Sequence, residues 1–334
     1  MSSRKPQVTI VGLGLIGGSI GLALRQSEAV EMVIGHDKDP TAGKQAKKMG
    51  AVDKADWNLI SACEESALII LSIPLSGIEA TLKAVGPYLQ PGTVVVDTAA
   101  LKAPVLAWAD EILPQGVHFV GMDPIVGRVP TSASGVEAAR ADLFQRCIFC
   151  LSPSPRADEN VVRLATDLVA VLGGRPLFMD PLEHDGLLGA ADQLPPILAL
   201  TLLDATVRQP VWREVRKVAG GAFESATQLY SEDPEVYSSL FLANRENIQR
   251  WIDEFMFSLA AMRRALDEED VSALADRFET LMEERNRWLL DRRQGTWDIA
   301  PGMEMPPKPN LFVDTFLGGL WRKRREKSEK DKRG

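Results

Sequence analysis

A mainly apolar run, residues 8–11, leads straight into Gly12, Gly14 and Gly17 and then into helical periodicity. That order reads as a strand, a tight turn and a helix. Gly12 allows the turn, Gly14 lets backbone approach a pyrophosphate, and Gly17 lets the helix pack closely on the strand. The helix N-terminus adds N–H donors and a positive dipole end, so Gly12, Leu13, Gly14, Leu15, Ile16 and Gly17 are expected to cradle a dinucleotide. A second apolar stretch, residues 32–35, ends beside Asp37, about 20 residues beyond the glycines. Its carboxylate is placed to accept from the adenosine ribose hydroxyls. An acid there repels a 2′-phosphate, which favours NAD over NADP, although neighbouring Lys38 softens that preference.

The first half goes on alternating β-rich runs with helical segments. Strands are expected at residues 67–72, 93–96, 117–121, 147–151 and 176–178, with a helix over 158–172 before the last of them. Strands alternating with helices specify a mainly parallel, doubly wound sheet of the Rossmann type. Ligands in such sheets sit at the carboxyl ends of the strands. That rim gathers the glycine turn, Asp37, Ser72, Ile73 and Pro74, Asp97 to Lys102, and the segment 122–127, and of these Ser72, Ile73, Pro74 and Asp97 are expected to join the cofactor site.

After Asp180 the strand signal stops. Residues 182–205, 211–230, 234–266 and 271–293 carry apolar residues at three- and four-residue spacing. Stripes this extensive must pack on one another and on a second copy of the chain, which points to an all-α C-terminal dimerisation domain. The expected division is a dinucleotide-binding domain at 1–180, a helical substrate and dimerisation domain at 181–295, and a remainder at 296–334. That remainder comprises a proline-rich linker, a short segment with Leu311, Phe312, Phe316, Leu320 and Trp321 on one helical face, and a basic tail. Docking on the protein's own surface, rather than on a membrane, is the expected fate of the amphipathic segment.

Charge narrows the partners. The 334-residue chain has net charge −8, yet residues 322–334 carry eight Lys/Arg against three acids, leaving the rest at −13. An acidic body disfavours nucleic acid, whose phosphates need clustered Lys and Arg on a folded surface. No apolar run approaches the ~18 residues of a membrane span, and residues 1–7 lack a signal peptide's apolar core. Three cysteines give no disulfide framework, so the expected location is the cytoplasm. Cys147 and Cys150 form a C-x-x-C, but inside a strand positions three apart face opposite sides, which disfavours a metal or redox pair.

Several separated motifs are then similar to one family. The opening VGLGLIGGSIG, DTAALK after the fourth long strand, GMDPIVG followed by SGVEAARADLF, EHD at the start of the helical half, and DPEVYSSLFLANRENI resemble prephenate/arogenate dehydrogenases, in order and spacing over roughly residues 7–293. The resemblance implies NAD(P)-dependent oxidative decarboxylation in aromatic (tyrosine) biosynthesis by a homodimer. It also exposes departures. Where the family has His-Pro-Ile-Ala-Gly, its histidine polarising the substrate hydroxyl, this chain has Asp123 to Gly127. The serine of Asp-Val-Gly-Ser-Val-Lys is Ala100, with Asp97 and Lys102 retained. Ser-His-Leu-Pro-His becomes Asp192, Gln193, Leu194, Pro195 and Pro196. Two family arginines match Glu224 and Gln228, and a family glutamate matches Val129, beside an insertion at 131–133.

The base and the anion clamps have therefore changed while the nucleotide motif is intact. Asp123 or Lys102 is the candidate replacement for the catalytic histidine, and Asp192, Gln193, Gln228 and Arg128 are the candidate substrate contacts. An exposed Asp, with pKa about 3.9, needs burial to act near neutral pH, and a lysine needs the converse shift. Of the three histidines, His118 reads as structural within its strand. His36 would lie near adenosine, and His184 serves either the cleft or the helix start. Three functions stay open: an oxidoreductase with an altered substrate, a non-catalytic NAD-binding sensor or regulator, and an interaction protein using its helices and basic tail.

Overall fold

The computed structural model describes residues 6–27, 29–127, 135–229 and 233–295. Its strands are β1 (Gln7–Val11), β2 (Met32–His36), β3 (Lys54–Ala55), β4 (Leu68–Leu71), β5 (Val94–Asp97), β6 (His118–Ile125), β7 (Ile148–Pro153) and β8 (Arg175–Phe178). They form one sheet in the order β3-β2-β1-β4-β5-β6-β7-β8, parallel except for the antiparallel β6–β7 pair. Between them run α1 (Leu15–Ser27), α2 (Pro40–Lys48), α3 (Leu59–Cys63), α4 (Leu75–Val85), α5 (Ala103–Ile112) and α6 (Glu159–Val171).

The period-two alternation of the strands sorts their side chains onto two faces. Val8, Ile10, Leu68, Ile70, Val94 and Val96 join Ile20 and Leu24 of α1 and Leu164 and Leu168 of α6 in one core. Ile69, Leu71 and Val95 point the other way, against Ile78 and Leu82 of α4 and Val105 of α5. Burying each such aliphatic side chain stabilises the fold by about 1.5–3 kcal/mol. Reversal of the strand order beside β1 leaves a crevice at the carboxyl ends of β1 and β4, where the glycine turn lies. The expected α/β class is thus observed, and short β3 is the strand that the sequence reading lacks.

From Pro181 onward the described chain is helical: α7 (Pro181–Leu188), a π-helical turn (Gly189–Gln193), α8 (Leu194–Val207), α9 (Trp212–Val218), α10 (Gly221–Ala226), α11 (Pro234–Ala243), α12 (Arg245–Asp267) and α13 (Val271–Gln294). Three of the expected long helices are broken. The π turn precedes Pro195 and Pro196, which have no N–H to continue an i→i−4 ladder. Residues 211–230 split at Gly220 and Gly221, weak helix formers at which Ala219 and Gly220 turn extended. The third break falls at Asn244, whose side chain is taken up in hydrogen bonds to Gln193 and Asn247.

The chain divides into two compact units, one containing the described residues within 1–188 and 230–243, the other those within 189–229 and 244–307. Helix α11 belongs to the first, where Leu240 is buried in the same cluster as Ile78 and Leu82. Contrary to the sequence reading, one stretch, Pro181–Val207, is apolar and long enough by composition to cross a membrane. Its interruption by the π turn and its three buried polar side chains, His184, Asp185 and Gln193, argue for a helix of a folded domain. Residues 297–321 and the basic tail lie outside the described residues.

Candidate active site

The three glycines of the first turn have separable roles. Gly12 sits at φ +92°, and a Cβ there would fall 2.2 Å from the Ser72 carbonyl oxygen; one on Gly17 would fall 1.9 Å from the Gly12 carbonyl oxygen. Both are needed by the polypeptide itself. A Cβ on Gly14 meets nothing within 4 Å, so its glycine is unexplained by the fold and fits a ligand lying against the backbone. At the head of α1, which begins at Leu15, the first-turn N–H groups have no intrahelical acceptors. Leu15 and Ile16 are half-buried at this turn, whereas the Leu13 side chain is fully buried in the core.

Leu13 therefore contributes through its backbone, and its N–H donates to Asp37 Oδ2 at 2.7 Å. Asp37 Oδ1 accepts from Asp39 N at 2.8 Å, so the carboxylate is locked beside the glycine turn with lone pairs left for ribose hydroxyls. His36, at the end of β2, meets the Asp56 carbonyl through Nδ1 at 3.0 Å. Ser72 and Ile73 wall the turn on the β4 side, and Pro74 precedes the first residue of α4. These residues fit a dinucleotide.

A second group lies on the sheet face beneath α5 and α7. Lys102, fully buried, places Nζ 2.5 Å from Asp97 Oδ2, which also accepts from Ala99 N. Asp123 lies within β6, not on a loop, with Cys150 of β7 directly opposite. Its Oδ2 is 3.2 Å from Nε2 of His184, whose Nδ1 is 2.9 Å from Asp185 Oδ1. Asp185 in turn accepts from Lys102 N at 2.7 Å and Ala103 N at 3.0 Å, at the start of α5. Burial opposes a charge on His184, but hydrogen bonds to Asp123, Asp185 and Cys150 override it and push the imidazole up to about 11. Burial likewise pushes the Asp97 carboxyl above the usual range, with Lys102 pulling the other way.

Accessibility separates these groups by role. The side chains of Asp97, Lys102 and His184 are 0% exposed and that of Asp185 5%, while Asp123 keeps 10%. Asp123 is the least buried of the group. Lys102, a catalytic candidate by sequence, has its ammonium committed to Asp97 and its stem packed under Gly121, where a Cβ would approach Lys102 Cδ to 2.8 Å. Asp185 and Cys150 were missed as members of the cluster. The EHD motif contained the first, while Cys150 enters only through the antiparallel β6–β7 register.

The substrate candidates on the helices are placed in the other compact unit. Gln193, in the π turn, is buried and accepts from Asn244 Nδ2 at 2.7 Å, while its own Nε2 has no partner among the described residues. Asp192 is half-buried, and Gln228 and Glu224 are exposed. Arg128, Val129 and the insertion at 131–133 lie outside the described residues. His118 stands at the first position of β6, its Nδ1 3.3 Å from the Arg156 carbonyl oxygen, at the sheet end opposite the glycine turn.

A glycine turn open at Gly14, at the switch point of a parallel sheet, with an acid locked beside it, defines a dinucleotide-binding domain of the dehydrogenase type. Residues 20–177 match the family model described as prephenate dehydrogenase, nucleotide-binding domain, and residues 180–281 match prephenate dehydrogenase, dimerization domain. The chain belongs to the prephenate/arogenate dehydrogenase family. It is 29% identical over 319 residues to a prephenate dehydrogenase of Bacillus subtilis, covering 94% of this chain and 82% of that protein. A cyclohexadienyl dehydrogenase of Zymomonas mobilis is 25% identical over 277 residues, covering 81% and 92%. Among solved structures, prephenate dehydrogenase from A. aeolicus in complex with hydroxyphenyl propionate and NAD+ superposes with TM-score 0.77 at 26% identity, covering 84% of this chain and 98% of that one.

Proposed function

We propose that this chain is an NAD-dependent oxidoreductase in which Asp123 faces the substrate hydroxyl, acting on a substrate less anionic than the dicarboxylate prephenate. The observation that carries the reading is Asp123 itself: it stands where the family resemblance puts the catalytic histidine, and its side chain is the least buried of the polar cluster. Bound NAD, held by the glycine turn and Asp37, supplies the hydride acceptor. An acid in place of histidine, with Gln228 and Glu224 in place of two arginines, removes cationic contacts to a carboxylate and adds like charge. A substrate amine or hydroxyl suits Asp123 better.

The experiment is steady-state NAD reduction with prephenate, with arogenate, and with cyclic acids bearing amines or hydroxyls. Prephenate and arogenate are expected to turn over very slowly or not at all. Robust turnover of prephenate with a micromolar KM overturns the reading and shows that Arg128 or another cation holds the carboxylate. A second reading, an NAD-binding protein without turnover, has one observation in its favour: both ring nitrogens of His184 and the Lys102 ammonium are already engaged, leaving no basic side chain of the cluster open. NAD binding without reduction across the panel supports it.

Cofactor binding is assigned to residues 1–180, with NAD preferred over NADP through Asp37, and substrate and dimer contacts to 181–295. Exposed Met256, Phe257 and Leu259 on α12 and Leu281 and Met282 on α13 supply apolar surface for a homodimer. The cytoplasmic assignment continues to rest on cysteine usage. Gly14→Val is expected to leave the fold intact and to weaken NAD at least 100-fold, about 2.7 kcal/mol, in calorimetric titration. Unchanged affinity would take Gly14 out of the phosphate site.

A further inference from the structure

The buried ring of His184 lies between two carboxylates. Asp185 accepts backbone N–H groups from Lys102 and Ala103, so it acts as an ionised carboxylate, and the ring nitrogen facing it, Nδ1, must carry a proton. Nε2 is then the atom left to address Asp123, and it lies 3.2 Å from Oδ2. The groups around the ring come from every neighbouring element: Asp123 from β6, Cys150 from β7, Asp185 from α7 itself, and beyond it Lys102 at the head of α5 with Asp97 at the end of β5. Among the described residues the other two histidines have no such carboxylate contacts: His36 and His118 each meet a backbone carbonyl.

We propose that His184 is a positioning residue: anchored by Asp185, it grips Oδ2 of Asp123 through Nε2 and so fixes the carboxylate with Oδ1 turned to the substrate hydroxyl. The proposal rests on the reading of Asp123 above. During oxidation the hydroxyl O–H bond breaks and its proton goes to Asp123. The electron pair left on oxygen forms the carbonyl as the hydride leaves carbon for the acceptor that NAD would supply when bound. The imidazolium stays protonated throughout and holds the carboxylate in line. A histidine thus still serves this position, supplied from α7 instead of β6 and acting one carboxylate removed from the substrate.

With only three histidines, the ring nitrogens can be followed by nitrogen-15 NMR of the full-length protein, His184 being the ring whose signals vanish in His184→Gln. Both nitrogens of that ring are expected to stay protonated to about pH 9, and Asp123→Asn is expected to lower its titration midpoint by at least one pH unit, about tenfold in proton affinity. A midpoint near 6.5 in the wild type, or one unmoved by Asp123→Asn, overturns the pairing. On the best substrate of the panel, or on prephenate, His184→Gln is expected to lower kcat about 100-fold with KM changed less than threefold and NAD affinity unchanged. The acid limb of its pH–rate profile is expected to move to higher pH once the cation beside the carboxylate is gone. Wild-type kcat and pH profile in that variant overturn the positioning role. If the NMR shows the pair but Asp123→Asn leaves turnover intact, the reading of Asp123 as the substrate-facing group fails instead.

Discussion

Lys102→Met is expected to cost about 3–5 kcal/mol of folding stability, because it leaves the carboxylate of Asp97 buried without its counter-charge. Methionine replaces the lysine stem as far as Cε, so packing beneath Gly121, which is made by Cδ, is kept and the loss reports chiefly the charge. Asp97 Oδ1 already lacks a partner among the described residues, and burial already pushes the carboxyl toward its neutral form. Adding Asp97→Asn to Lys102→Met should therefore recover a large part of the loss. Denaturant titration of the single and double variants measures both. A single-variant loss under about 1 kcal/mol would show that Asp97 simply takes up a proton, and that the ion pair contributes little.

The sheet was legible because its signals are local. The strand–glycine–helix order around Gly12, the alternation of apolar side chains in β1, β4 and β5, and the acid closing β2 each involve a few adjacent residues. The helical half was legible in type but not in its breaks. Apolar spacing runs straight through Asn244, and only the contacts of its side chain with Gln193 and Asn247 mark the junction. The placement of α11 against α4, through Leu240, is a tertiary preference that no periodicity encodes.

The active-site reading was limited in the same way. Sequence could register that Asp123 replaces a histidine and that His184 and Asp185 adjoin, yet 61 residues separate Asp123 from His184, and their meeting depends on how α7 lies across the sheet. Lys102 shows the opposite failure. A lysine retained beside Asp97 reads equally as a catalyst or as a buried counter-ion, and the difference is its complete burial. Polar residue type announces chemistry, whereas accessibility decides whether that chemistry meets a ligand.

The same buried imidazole should make the protein less stable as the solution turns alkaline. His184 rises from 6.5 to about 11 on folding, so below about 6.5 both the folded and unfolded chains carry its proton and the stabilising contacts count in full. Above that point the unfolded chain releases the proton while the folded one keeps it, and stability falls by up to about 1.4 kcal/mol per pH unit until the folded group titrates. Cys63, buried and pushed from 9.0 to about 12, adds a loss of the same sign, but only above about 9. Denaturant midpoints between about pH 7 and about pH 8.5 therefore isolate the histidine. Wild type should lose stability steeply across that interval and His184→Gln should not, so the gap between them narrows as pH rises. Parallel curves would mean that the ring is neutral in the folded protein, and that Asp123 is held by a hydrogen bond without a charge behind it.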